Sequence, residues 1–421
     1  MSARSLAVLG FVIALTVVSF RTFRNAEIPG SPMLPRYGLC DFRDAVYYPV
    51  RALLEGDNPY RPSTYRARYP VGSKFPLYAP LILAIDLPFG LLPERVAGIA
   101  HYAFNVLCIL LVAHLSLRLC AARSDLTLTL ALAAAILLGR PGNTTLFTGE
   151  CTAYLCIGTF LALGWAESRP WIGGLGVALA SLKPTFGVPL GLLMLARRDQ
   201  RRALANGVML TTVGSAAIAG VLVHAAGGVL PWLESLRENY LTLSATSETY
   251  AGASVLALDA AAFVDRLLGH APGAALARVE AVVSLTVLAI GIAAVGFAAR
   301  ARNRDRHFVA VTVVCLTVLL SVHHQAYDAL LLTLPIAAIA SGRCSPALGP
   351  RTRWFLLFLL LVPWVNYAAT YGFIDRLQVA GWTKLLITSA NGGALLTAFA
   401  VSVTVLLAGD DAGVAEPSVG T

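Results

Sequence analysis

About a dozen apolar runs, separated by turns, prolines and arginine clusters, limit what this chain can fold into more than any other feature. They fall at residues 6–20, 97–117, 126–138, 151–166, 171–182, 185–196, 204–224, 282–299, 308–322, 329–340, 354–367 and 385–408. One water-soluble globule cannot hide so much apolar sequence. Only 13% of the residues are charged and the mean hydropathy is +0.71, against about a quarter charged in soluble domains. A bilayer accepts such runs when every backbone amide is satisfied within helices or a closed barrel. Barrel strands would alternate apolar and polar residues over about ten positions, whereas these runs are continuous and rich in Leu, Ala and Val. The expected fold is all-α and polytopic, a single integral membrane domain of about 12 transmembrane helices over residues 1–408. Several runs are shorter than the ~20 residues of a perpendicular span, so tilted or cavity-lining segments are expected among them.

Charge sets the expected topology. Arginine clusters stand at Arg118/Arg123, 197–202, 300–306 and 343–353, and the positive-inside rule places all four in the cytoplasm. That requires a hairpin over 171–196 turning at Lys183-Pro184, and a segment at 76–93 that dips in without crossing. Run 6–20 lacks a small-x-small cleavage site before Arg21 and reads as an uncleaved signal anchor. Both termini are then inside a plasma membrane, and the acidic stretch 409–421 is a short disordered cytoplasmic tail. All remaining polar segments emerge outside: 21–74 (within an external region 21–96), 139–150, Lys183, 231–278 and 323–328. Polar residues at membrane depth are functional candidates by default, so an external site is expected.

The net charge of +9 suits loops facing anionic lipid; membrane lipids, not nucleic acid, are the partners it implies. The seven cysteines form no CxxC pair and mostly lie inside apolar runs, so neither a disulfide framework nor a zinc site is expected.

The first outer loop reads D-F-R-D-A-V-Y-Y-P-V-R-A-L-L-E-G-D-N-P-Y from Asp41 to Tyr60. Apolar spacing over 45–54 suits a helix on the membrane surface, ended by the turn residues 56–59. Asp41 and Asp44, three apart, would share one helical face. Either could be a general base if the apolar boundary raises its pKa, or a helix-capping aspartate. Cations crowd the loop: Arg21, Arg24, Arg36, Arg43, Arg51, Arg61, Arg66, Arg68 and Lys74. They fit an anion site for a phosphate head group, or simply a long loop translocated regardless of charge. Lys183 could neutralise a phosphate or snorkel to the interface. His323 and His324 point in different directions on a helix and lack a third ligand. A metal is therefore not expected, and hydrogen bonding to a sugar or phosphate fits the segment through Tyr327 and Asp328 better.

The Asp41–Tyr60 loop resembles the D-F…Y-Y…A-L-L-x-G-x-N-P-Y signature of the polyprenol-phosphate-mannose-dependent alpha-mannosyltransferases of the GT-C class, glycosyltransferase family eighty-seven. Agreement continues through Tyr69-Pro70, Pro76-Leu77-Tyr78-Ala79-Pro80 and Leu87-Pro88-Phe89-Gly90-Leu91-Leu92-Pro93. It recurs at Gly149-Glu150, at Leu182-Lys183-Pro184 and over 321–328. The resemblance implies a GT-C-like bundle whose long first external loop carries short surface helices. It implies an inverting hexosyltransferase that moves a sugar, usually mannose, from a polyprenyl-phosphate donor in the outer leaflet to a hydroxyl of a glycolipid or glycan. No cofactor is implied. The family's base maps by its D-F context onto Asp41, with Asp44 a close rival. Substrate-binding roles are implied for Arg43, Tyr47, Tyr48, Asn58, Tyr60, Glu150, Lys183, His323, His324, Tyr327 and Asp328. Glu150 stands where relatives often carry Gln and Val322 where Pro is common, which bears on acceptor specificity. A phosphate leaving group needs no protonating acid, so one base and nearby cations suffice. The rival readings are a multi-pass secondary transporter, which would show repeated halves and midplane polar residues, and a lipid-binding protein without catalysis.

Overall fold

The computed structural model describes residues 2–26, 38–120, 125–244, 254–269, 274–301, 306–344 and 347–408. Arg36, Arg123 and the 409–421 tail lie outside them. The described residues are mostly helical, with no strand among them beyond one isolated bridge between Ala257 and Gln325. This is an all-α polytopic membrane protein. Each of the expected apolar runs falls on helix. Five helices are long and apolar enough to cross a bilayer: Ala3–Arg24, Glu94–Leu119, Arg198–Ala225, Ala277–Arg300 and Gly381–Leu407. Leu126–Leu138 and Arg140–Thr148 make a sixth if taken together, bent by 73°. Among the described residues these five or six meet the length and apolarity of a full span, and the expected count of about 12 is not established by them. The remaining runs form shorter apolar helices, among them Thr152–Trp165, Pro170–Ala180, Pro184–Leu195 and His307–Ser321. Proline explains much of this: Pro170 and Pro184 open their helices, and Pro141 stands just past the bend after Leu138. A proline in a first turn lacks only an amide that would be unpaired anyway.

Leu9, Ile13, Val213, Leu285, Phe358 and Leu386 point outward from these helices, a surface that only lipid would cover favourably. Inside, small residues bring helices close. A Cβ on Gly158 would stand 2.7 Å from the Leu179 Cβ across the Thr152–Trp165/Pro170–Ala180 pair, the close approach typical of membrane helix packing. All seven cysteines are free thiols.

The first loop departs from expectation. In place of one surface helix over 45–54, a π-helical turn, Phe42–Tyr47, runs into the α-helix Tyr48–Leu54. The π turn is buried throughout. Pro49 is the physical reason: it cannot donate to the Ala45 carbonyl and its ring crowds that oxygen, so the preceding turn widens and the Tyr48 amide bonds to the Arg43 carbonyl instead. Such widened turns are frequent at functional sites. Downstream, the 76–93 segment folds into the short helices Leu81–Ile85 and Leu87–Gly90. The 231–278 interval is not a plain polar loop, since Val229–Ser244 and Ala260–Leu268 are helices.

Candidate active site

Asp328 organises the most densely bonded cluster. It sits at the start of the 3-10 helix Ala326–Leu332 and is fully buried. Its Oδ1 accepts from Thr152 (3.0 Å) and Lys183 (2.9 Å). Its Oδ2 accepts from Lys183 (3.0 Å), His324 Nδ1 (2.9 Å) and the Gln325 amide (3.1 Å). His324 Nε2 faces the Thr185 carbonyl at 3.2 Å, so both ring nitrogens are held by partners. Lys183 Nζ lies 5.0 Å from the Tyr327 ring and 5.5 Å from the Phe186 ring, within cation–π reach of both. Lys183, expected to face a phosphate, is paired with Asp328 in this structure. A buried carboxylate needs such partners more than any ligand does. Next to this cluster, Glu150 Oε1 accepts from the Tyr78 hydroxyl (2.8 Å) and the Cys151 thiol (3.3 Å).

The two aspartates of the first loop have different surroundings. Asp44 is 6% exposed, and its two oxygens accept from the Gly72 amide (2.9 Å) and the Ser73 amide (2.8 Å). It ties the π turn to the 69–80 segment. Asp41 caps that turn, stays partly exposed, and its charge reaches Tyr327 in the 323–328 segment. The π turn replaces the α-helical spacing from which a single shared face was expected. Gly149 presses on the same turn. Its φ is +76°, and a Cβ there would stand 2.6 Å from the Phe42 Cβ, which only glycine avoids.

Other expected binding residues hold the loop in shape. Arg43 is buried and donates to Glu94 Oε1 at 2.9 Å, while the Tyr48 hydroxyl donates to Glu94 Oε2 at 2.7 Å. Tyr47 donates to the Leu92 carbonyl (3.1 Å) and Tyr60 to the Tyr78 carbonyl (2.7 Å). Asn58 Oδ1 accepts from the Tyr60 amide at 3.1 Å, a side-chain turn before the buried tyrosine. Arg51 and Arg68 pair with Glu55 at 2.8 and 3.5 Å, Arg68 also with Asp57 at 2.5 Å, and Arg61 with Glu238 at 3.7 Å. Much of the loop's positive charge is thus met by local acids. Lys74 donates to the Asn239 carbonyl at 2.7 Å, and burial lowers its pKa to about 8.

Sequence reasoning missed Asp259, Asp86 and Thr152. Asp259 caps the Ala260–Leu268 helix through the Ala262 amide (2.9 Å) and lies 3.5 Å from His323 Nδ1. Burial opposes its ionised form, but the His323 ring and the Ala262 and His324 amides outweigh this and hold its carboxyl below the usual range. The Asp before A-A-A-F was a legible capping signal. Asp86 is 1% exposed between the two short helices of the 76–93 segment; its mark was a lone carboxylate in an apolar stretch. His323 is half-exposed as a residue, yet neither ring nitrogen has a hydrogen-bond partner. Among the described residues no cluster could hold a metal ion.

These features define a polytopic membrane protein with one buried polar cluster beside a loop-borne aspartate. The family model of glycosyltransferase family 87 matches residues 77–322, more than half of the chain, and the chain belongs to that family: it is a membrane glycosyltransferase. No curated protein and no solved structure matches it. Asp41 and Asp44 precede the matched stretch, and residues 323–328 follow it.

Proposed function

We propose that this glycosyltransferase moves a hexose, mannose in the first instance, from a polyprenyl-phosphate donor to a hydroxyl of a glycolipid or glycan at the outer face of the plasma membrane, with inversion. Asp41 is the base. It takes the proton from the acceptor hydroxyl as that oxygen bonds to the sugar's anomeric carbon, and the bond to the phosphate oxygen breaks on the opposite side. The phosphate leaves as an anion and needs no proton. The observation that carries this assignment is the contrast between the two aspartates: Asp44 is committed to two backbone amides, while Asp41 is partly exposed and within electrostatic reach of Tyr327.

Lys183, Asp328 and His324 serve as a rigid base under the 323–328 segment. His323, whose Nδ1 lies 3.5 Å from Asp259, is proposed to donate to the departing phosphate. A lipid donor also accounts for a polar site built between short membrane helices. Purified protein given radiolabelled polyprenyl-phosphate mannose, polyprenyl-phosphate glucose and a nucleotide sugar should use the first. Transfer from the nucleotide sugar alone would refute the donor class. Transfer from none of them by folded protein would refute the donor assignment as a whole.

A further inference from the structure

Arg140 is drawn out of water while Arg21 keeps an exposed face, and neither has an acidic partner among the described residues. Arg140 is 1% exposed; it donates to the Ala369 carbonyl, and its Nε and one terminal nitrogen have no partner. Arg21 donates to Asn143 Oδ1 and lies 4.3 Å from the centre of the Phe147 ring. Asn143 follows Arg140 by three residues, so both guanidinium groups meet the first turn of the Arg140–Thr148 helix. That amino end adds its own partial positive charge. The ionisable groups acting on the pair are Tyr367 and, for Arg140, the like-charged Arg266. A buried charge such as that of Arg140 is strongly unfavourable without an opposite one, and among the described residues no carboxylate answers it.

Beside Arg21 opens a cavity of about 520 Å³. Arg21, Tyr367, Thr370 and Arg376 supply its polar wall, Phe373 and Leu377 its apolar one. Leu377 is 62% exposed, and beyond it Trp382 and Leu386 project from the membrane-length helix Gly381–Leu407. The cavity therefore stands at a boundary where water meets lipid. A cationic hollow with an apolar rim matches one chemistry: a phosphate ester carried on acyl chains.

We propose that this cavity binds the phosphodiester head group of an anionic membrane lipid, at a site separate from the Asp41 and Asp328 clusters. The proposal does not depend on which sugar or donor the enzyme uses. Delipidated full-length protein would be incubated with phosphatidylglycerol, phosphatidylcholine or inorganic phosphate, and retention read by native mass spectrometry together with thermal melting. Phosphatidylglycerol should be retained and raise Tm, about tenfold more tightly than phosphatidylcholine, roughly the worth of one charge-assisted contact. Arg376→Gln, an exposed position that leaves Arg21 and Arg140 in place, should reduce that retention by about tenfold. Arg21→Gln should abolish it if the variant folds. Equal retention of the two lipids, or unchanged retention in Arg376→Gln, would overturn the site. A Tm rise from inorganic phosphate equal to that from phosphatidylglycerol would overturn its lipid nature.

Discussion

Replacing each loop aspartate with asparagine separates the base from the clamp, because the two should fail in different measurements. Asp44 accepts two backbone amides at 2.9 and 2.8 Å in a buried position. Asparagine keeps one acceptor oxygen and turns a donor toward the other amide. One charge-assisted bond is weakened and one is lost, each worth about 1.5–3 kcal/mol. Asp44→Asn should therefore destabilise the protein by about 2–4 kcal/mol, lower Tm by several degrees, and reduce transfer only as far as the loop is displaced. Asp41 is partly exposed, so Asp41→Asn should change stability by less than about 1 kcal/mol. Its transfer rate should fall by about two to four orders of magnitude, the usual range for a lost general base. The assays are detergent-phase thermal melting and single-turnover sugar transfer on the same preparations. Asp41→Asn protein that transfers normally would refute the assignment. Asp44→Asn protein that is inactive yet melts like the wild type would move the base to Asp44.

Lys183→Met should lower stability by about 3–5 kcal/mol by leaving Asp328 buried with less counter-charge, and Lys183→Met/Asp328→Leu should recover much of the loss in thermal melts; a double variant no more stable than the single one would show that the pair does not hold the segment. Gly149→Ala forces a positive φ and a 2.6 Å approach to Phe42; it should cost about 1–3 kcal/mol and reduce transfer by misplacing the Asp41 turn, with unchanged melting and transfer as the contrary result. Lys74, whose pKa falls to about 8 on burial, binds fewer protons folded than unfolded above that pH, so stability should rise from about pH 8 towards about 10.4, and Lys74→Met should flatten that part of the profile in pH-dependent melts.

Hydropathy made the fold class legible because continuous Leu, Ala and Val runs admit one backbone solution in lipid. The number of full spans was not legible. Run length alone cannot tell a tilted span from a short helix that ends against its neighbours, as Pro170–Ala180 does beside Thr152–Trp165. The site was partly legible: Lys183, His324 and Asp328 were singled out separately, and the structure places them in one hydrogen-bonded unit. Their bonding to each other was invisible, since 145 residues separate Lys183 from Asp328 and no local spacing encodes that meeting. Asp41 and Asp44 looked equivalent because α-helical spacing was assumed. The Pro49 that widens the turn was in plain view, but its effect on the preceding carbonyls depends on how the loop is buried.

The distribution of charge explains why such a site can sit among apolar helices. Lys183, His324 and Asp328 compensate one another with short bonds, so the 323–328 segment is fixed without water. Asp44 fixes the opposite wall by binding Gly72 and Ser73, and Glu94 holds Arg43 and Tyr48. Beside these fixed parts, Asp41 and His323 are partly exposed. On the function proposed above, a base must meet its substrate in a held geometry, and a lipid-linked donor would approach along the membrane. The π turn meets both needs, since it is anchored at Asp44 and Tyr48 while presenting Asp41 towards Tyr327. Tightening that turn should therefore disturb catalysis more than binding. Pro49→Ala restores the missing amide and favours ordinary α-helical bonding to Ala45, rotating Asp41 relative to Asp44. The turnover number should fall by about tenfold with little change in donor affinity, because a small misplacement of a catalytic group acts on the transition state. Equal losses in both would show that the turn serves folding alone.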